Sequence, residues 1–318
     1  MPVVAALAIL VALAVDRWWG EPPTRWHPVV WMGNYLGWGG AWVQRRAVQD
    51  PSQHDFKAFW LGALVWIAGA ATVFVAAWWL QALLMEWPWW AAALALGLLL
   101  KPLLAWSLLA SEVRAVEAAL GESLAAGRER LRWLVSRDVT HLSETQVRES
   151  AIETLAENLN DSVVAPLFWF VLLGPPGAAL FRFANTADAM WGYPGVYAGA
   201  NWAWAGKWAA RADDVLGWLP ARLTALLLAL AAGGLSLARL RSEAARTPSP
   251  NSGWPMAAMA LSLGVRLTKP GGYVLHAGGR SALASDTASA FRYASKALLA
   301  LVVIAQAALV LIAVMESA

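Results

Sequence analysis

Residues 58–80 read AFWLGALVWIAGAATVFVAAWWL, a run of 23 residues with no charge and with tryptophan near both ends. At about 1.5 Å per residue such a helix crosses a hydrocarbon layer of roughly 30 Å. Indole, with an apolar body and one N–H donor, favours the boundary between lipid and water. The stretch predicts a transmembrane helix, and the composition of the whole chain agrees with it. Of 318 residues, 59% are hydrophobic and 22 are Trp. Only 14% are charged, against about 25% in an ordinary soluble domain. A disordered chain and a typical cytosolic enzyme are both excluded.

Outward from this helix, Trp87 to Leu109 predicts a second span, with Lys101 as its one charge, and Ala297 to Met315 a third, with Gln306 as its strongly polar residue. The opening run, Met1 to Val15, lacks the basic start and small-residue cleavage site of a signal peptide and reads as a further helix, making about four spans. Val163 to Phe183 is interrupted by Gly174-Pro175-Pro176-Gly177, which predicts a helical hairpin, because proline lacks a donor and clashes with the preceding turn. Leu223 to Leu237, 15 residues between Arg222 and Arg239, is short for a crossing. The expectation is an all-α, polytopic integral membrane protein forming one domain over residues 1–318, with 110–162 and 184–296 mainly polar.

Lys and Arg favour the cytoplasmic side. Residues 16–57 hold five and 110–162 hold six, whereas 81–87 hold none. The two basic segments are therefore expected in the cytoplasm, on the inner face of the cell membrane. The net charge of +3 is too small and too dispersed for a phosphate backbone, so nucleic acid is not an expected partner. There is no Cys, and the four His, at 27, 54, 141 and 276, have no zinc spacing. Walker A, G-x-S-x-G and H-E-x-x-H patterns are absent from the sequence.

Charge is costly near lipid, so polar clusters in such a chain are informative. The first runs from Asp16-Arg17 through Glu21-Pro22-Pro23 to His27-Pro28, and an interface anchor would account for it. In the second, Arg137-Asp138 precede Ser143, which has Gln146 three residues on, a capping-box pattern. On the helix beyond it, Glu149, Glu153, Glu157 and Asp161 recur at i+4 spacing. Four carboxylates in a stripe repel one another unless a cation lies across them, and magnesium with its oxygen ligands would meet that demand. An exposed acidic helix face is the alternative. The third cluster holds Arg182, Asn185 and Asp188; the fourth holds Arg211, Asp213-Asp214 and Arg222, residues that a structural salt-bridge network would also explain. The fifth, Ser249-Pro250-Asn251 with Trp254-Pro255 and with Tyr273 further on, opens an apolar run, either as an anion-binding helix N-terminus or as a plain helix start.

Several runs together are similar to the CbiB/CobD family. They are Gly-Glu-Pro-Pro at 20–23 with His27-Pro28, Arg-Asp-Val-Thr-His-Leu at 137–142, and Ala-Ile-Glu-Thr-Leu-Ala-Glu-Asn at 151–158 with Asp161. Asn185-Thr186 with Asp188, Asp213-Asp214 with Pro220-Ala221-Arg222-Leu223, and Ser249-Pro250-Asn251 with Gly253-Trp254-Pro255-Met256 continue the likeness, in order, over about residues 10–275. The resemblance implies a membrane-bound adenosylcobinamide-phosphate synthase of cobalamin biosynthesis. Such an enzyme joins the free propionate of adenosylcobyric acid to aminopropanol phosphate, or to aminopropanol, by an amide bond, with ATP as driver and magnesium as cofactor.

On that reading Glu153, Glu157 and Asp161 are magnesium ligands or amine-binding carboxylates, and Asp188, Asp213 and Asp214 are further catalytic candidates. Arg137, Arg211 and Arg222 would contact phosphate or corrin carboxamides, and Asn158, Asn185 and Asn251 substrate amides. Glu21, His27, Asp138 and Trp254 complete the substrate-binding set. The lipid bilayer and other cobalamin-pathway enzymes are the implied partners. Two other classes fit the same chain: a transporter, through its broken helix, and a membrane scaffold for the enzymes of corrinoid assembly.

Overall fold

A computed structural model of the protein, describing residues 1–317, is built almost wholly of helices. In chain order these are α1 (Pro2–Trp18), α2 (Pro28–Gln44), α3 (Phe56–Leu84), α4 (Trp89–Leu100), α5 (Trp106–Glu122) and α6 (Leu124–Leu131). They are followed by α7 (Glu144–Leu159), α8 (Ala165–Trp191), α9 (Lys207–Ala231), α10 (Leu237–Ala244), α11 (Gly253–Leu263) and α12 (Ala284–Ser317). Two antiparallel ribbons of two-residue strands complete the described residues: β1 (Val196–Tyr197) with β2 (Ala200–Asn201), and β3 (Leu267–Thr268) with β4 (Val274–Leu275).

Five helical stretches among the described residues are long and apolar enough to cross a membrane: Phe56–Leu84, Trp89–Glu122, Glu144–Trp191, Lys207–Ala231 and Ala284–Glu316. The expected spans at 58–80 and 297–315 lie inside two of them. Three expectations change in detail. The apolar run from Trp87 to Leu109 bends at Lys101–Leu103, a short 3-10 turn, because Pro102 has no N–H to continue the ladder. The opening helix, at 17 residues, is about 25 Å long and falls short of the five. The run expected over 223–237 begins earlier and ends earlier. It forms the end of α9, which starts at Lys207 and carries Arg211, Asp213, Asp214 and Arg222, and it stops where Gly233 and Gly234 take positive φ.

No linker marks a domain boundary in the sequence, yet the chain forms two compact units. The first takes residues 1–104, 165–217 and those from 308 on; the second takes 105–164 and 218–307. Each is assembled from segments distant in sequence, which is why composition does not reveal the division.

In the first unit α1 lies along α4, burying Ala8, Ile9 and Ala12, and Gly97 sits where the carbonyl of Ala8 and the side chain of Val11 leave no room for a Cβ. Close backbone approach of this kind is how apolar helices associate where lipid removes the hydrophobic drive. α3 packs on α2 and α8, and is capped by Asp55, whose Oδ1 accepts the Ala58 N–H at 2.8 Å. The break in α8 is at Gly174, with φ 68° and ψ −159°. Gly177 is thereby brought against the carbonyl oxygen of Trp169, eight residues earlier, whereas a straight helix would hold them about 12 Å apart. The helix is thus sharply kinked at the Gly-Pro-Pro-Gly run.

That backbone region is open only to glycine, and Gln81 occupies the space a Cβ would need. Gly174→Ala is therefore expected to cost about 1–3 kcal/mol. Thermal unfolding in detergent checks this, and an unchanged midpoint would contradict it.

The second unit is organised around α7. Every residue from Val147 to Ala156 is buried, although Arg148, Glu149, Ser150, Glu153 and Thr154 are among them. A helix buried on all sides must satisfy its polar side chains within the protein. Arg148 does so through Glu117, with three contacts of 2.8–3.0 Å, and Glu117 also accepts the Thr287 hydroxyl at 2.6 Å. The capping box expected at Ser143 and Gln146 is present. Beyond Leu159 the chain takes one wider π-helical turn, Asn160–Val164.

Candidate active site

The acidic stripe is not an exposed face: Glu149 and Glu153 are 1% and 4% exposed, and Glu157 is half-buried. Glu149 Oε2 accepts the backbone N–H of Thr268 at 3.0 Å, and Arg266 lies 4.0 Å from Oε1. Glu153 is the hub. Its Oε2 receives Arg137 Nη2 at 2.7 Å, while its Oε1 receives the hydroxyl of Tyr273. The same Arg137 nitrogen donates to Ser150 Oγ at 2.8 Å. Tyr273 is delivered by the turn between β3 and β4, which Lys269 N–H closes onto the Tyr273 carbonyl at 2.9 Å. Burial, and then the charge of Glu153, push the Tyr273 phenol up from its usual range, in keeping with its hydroxyl donating to Glu153.

Charges of both signs act on Glu157: the carboxylates of Asp161 and Glu153, opposed by Lys269 and Arg137. The π turn after α7 is fastened by Asn160, whose Oδ1 accepts the Thr224 hydroxyl at 3.0 Å while its Nδ2 donates to Asp161 Oδ1 at 2.7 Å. Such a turn is often found at functional sites. Arg137 retains two buried donors, Nε and Nη1, that make no hydrogen bond within the protein. A partly buried guanidinium held by one carboxylate with donors to spare is suited to a carboxylate or phosphate ligand.

Other expected site residues are engaged within the protein. Glu153, expected as a magnesium ligand, has both oxygens engaged. No cluster of three or more His, Cys, Asp or Glu that could hold a metal is assembled among the described residues. Arg222, expected to touch substrate, spends its donors on Asn251 Oδ1 at 2.7 Å, the Pro250 carbonyl at 3.0 Å and the Trp218 carbonyl at 2.9 Å. It lies 4.4 Å from the Trp218 ring and 4.8 Å from the Trp254 ring. Asn251 and Trp254 thus help Arg222 pin the turn that opens α11. Asn158 bonds back to the Thr154 carbonyl at 3.1 Å. Asp138 is exposed, and the backbone N–H and hydroxyl of Thr140 hold its carboxyl below the usual range, as in an Asx turn.

The remaining candidates belong to the first unit. There Lys101, 2% exposed, joins Asp16 at 3.0 Å and Glu21 at 2.7 Å, and His27 Nε2 lies 3.3 Å from Glu21. Glu21 and Lys101 also line an apolar cavity of about 800 Å³ with Trp19, Trp31, Tyr35 and Phe183. Asn185 Oδ1 accepts from Arg182 at 3.4 Å, Asp188 accepts the Gly192 N–H on its backbone oxygen at 2.7 Å, and Arg211 is the charge neighbour of Asp214. Asp213 adjoins that pair on α9.

Two residues of these centres receive no site role from spacing or from resemblance. Lys101 carries a signal, since a lone charge in an apolar run needs an acid to pair with. Tyr273, in a Gly-Gly-Tyr turn, is singled out only as a polar residue following the fifth cluster.

The family profile described as "CobD/Cbib protein" matches residues 9–303. The chain belongs to the CobD/CbiB family. Similar members include the "Probable cobalamin biosynthesis protein CobD" of Methanothermobacter thermautotrophicus, 39% identical over 274 residues, covering 84% of this chain and 85% of the relative. The "Cobalamin biosynthesis protein CobD" of Chromobacterium violaceum is 42% identical over 272 residues, covering 83% and 81%. That of Brucella anthropi is 35% identical over 281 residues, covering 84% and 83%. No solved structure matches the chain.

Proposed function

We propose that this CobD/CbiB member is a cobalamin-biosynthesis enzyme that forms the amide between the free propionate of adenosylcobyric acid and aminopropanol phosphate, or aminopropanol. The observation that carries the reading is Arg137, fixed by the buried Glu153 with two donors unspent, in the electrostatic neighbourhood of the Glu157 carboxyl, which Asp161 also adjoins.

A carboxylate is a poor acylating agent because its leaving group would be oxide, so it must be activated. With ATP, a propionate oxygen attacks the γ-phosphorus and ADP departs. The amine nitrogen then attacks the acyl carbon, phosphate leaves, and the ammonium proton passes to a carboxylate. Arg137 would bind the carboxylate or the transferring phosphoryl oxygens. Tyr273, through Glu153, keeps that guanidinium in register. Glu157 and Asp161 fit magnesium as a pair, since this ion commonly takes one or two protein carboxylates and fills its shell with phosphate oxygens and water. Bound there, it would neutralise charge on the phosphates. An active site facing the cytoplasm, where nucleotide is available, is part of the proposal.

Detergent-purified protein given adenosylcobyric acid, magnesium, ATP and aminopropanol phosphate, with aminopropanol in a parallel tube, tests it by mass spectrometry of the product. Amide that requires ATP and one of the amines is expected. A folded sample that binds corrinoid yet yields no amide would favour a scaffold or a transporter.

A further inference from the structure

A basic groove lies apart from all of these residues, between the polar ends of α5 and α12. Glu117 of α5 accepts the hydroxyl of Thr287 of α12, and the guanidinium of Arg114, three residues earlier on α5, lies 4.5 Å from the ring of Phe291, four residues later on α12. The helices therefore run antiparallel, and the groove between them, about 790 Å³, is lined by Arg114, Arg292, Lys296, Ser295, Thr287 and Glu117. All three cations are exposed. Glu117, the single acid of the lining, is already held by Arg148 and Thr287, and nearby Asp286 is paired with Arg280 at 2.6 and 2.7 Å. The groove thus presents unopposed positive charge.

The sequence of α12 beyond these cations identifies the ligand. From Ala297 to Met315 the helix has no charge, and Leu299, Val303, Ile304, Val310 and Leu311 are exposed. Arg292 and Lys296, one turn apart on the same face, sit at the threshold of this apolar surface, the level at which the phosphates of a bilayer lie. We infer that the groove binds the headgroup phosphate of an anionic phospholipid, whose acyl chains run along the exposed face of α12. Basic pockets between membrane helices hold such headgroups by charge. A free phosphate would satisfy the cations but leave the adjoining apolar face uncovered. The inference rests on α12 spanning the membrane and is independent of the reaction proposed above.

The test is native mass spectrometry of the delipidated, detergent-purified full chain. It is titrated with phosphatidylglycerol, with phosphatidylcholine of the same acyl chains and, in a third arm, with inorganic pyrophosphate. One retained phosphatidylglycerol per chain is expected, with phosphatidylcholine at least tenfold weaker. The triple variant Arg114→Gln, Arg292→Gln, Lys296→Gln is expected to lose about a hundredfold in affinity, since each cation near an anionic surface contributes about fivefold. Arg292→Lys, which keeps the charge, should bind like the wild type and guards against a fold defect in the triple variant. Equal retention of both lipids would overturn the inference. So would undiminished phosphatidylglycerol binding in a folded triple variant, or pyrophosphate occupying the groove in its place.

Discussion

Glu153→Gln is expected to lower amide formation by about 10²–10⁴-fold, the range associated with loss of a charged group that organises a transition state. The glutamine keeps the shape of the side chain but removes the charge that fixes Arg137, leaving a guanidinium 19% exposed without its counter-ion. Breaking a buried pair from one side costs about 3–5 kcal/mol, so stability falls as well, and the two effects must be separated. Replacing both partners, Arg137→Met with Glu153→Met, removes the uncompensated charge and is expected to recover most of the unfolding midpoint while activity stays absent. Recovery of both would make the pair a structural feature only. Tyr273→Phe should have a smaller effect, because the carboxylate retains Arg137 and loses one donor.

Lys101→Met is expected to be the most destabilising substitution in the first unit, by about 3–5 kcal/mol. It leaves Asp16 and Glu21 facing each other without the ammonium that lies 3.0 and 2.7 Å from them. Thermal unfolding in detergent reads the loss. Adding Asp16→Asn and Glu21→Gln to Lys101→Met should restore most of it, since no charge is then left unpaired. A single variant as stable as the wild type would show that the two acids find water or another cation.

Legibility in the chain differs from element to element. α3 and the apolar part of α12 are visible in composition, because lipid as a solvent imposes length and apolarity on the segment alone. The break in α8 is visible for a related reason: Gly174 and the two prolines allow few backbones. The stripe on α7 is visible in its spacing, but whether it faced water could not be read, since burial depends on residues far downstream. Thr268 and Tyr273, on the second ribbon, are what cover Glu149 and Glu153.

Arg222 shows the opposite case. Its residue type suits a phosphate, and only the structure reveals that Pro250, Asn251 and Trp218 have taken its donors. Spacing likewise grouped Glu153 with Glu157 and Asp161 as ligands of one cation, whereas Arg137 and Tyr273 reserve Glu153 for themselves. The apolar run through Lys101 could be read as a span, but its bend depends on Pro102 and on acids at the end of α1 and just beyond it that draw the ammonium inward.

The most direct test of the buried α7 carboxylates as the centre of ligation is the Glu157→Gln variant, assayed for amide product per folded molecule with saturating ATP, magnesium and the preferred amine. The ion pairs that hold α7 in place run through Arg148, Glu149 and Glu153 rather than through Glu157. The variant should therefore unfold at or near the wild-type midpoint and yet form product at less than about a hundredth of the wild-type rate. Full activity in the folded variant would contradict that placement of the chemistry.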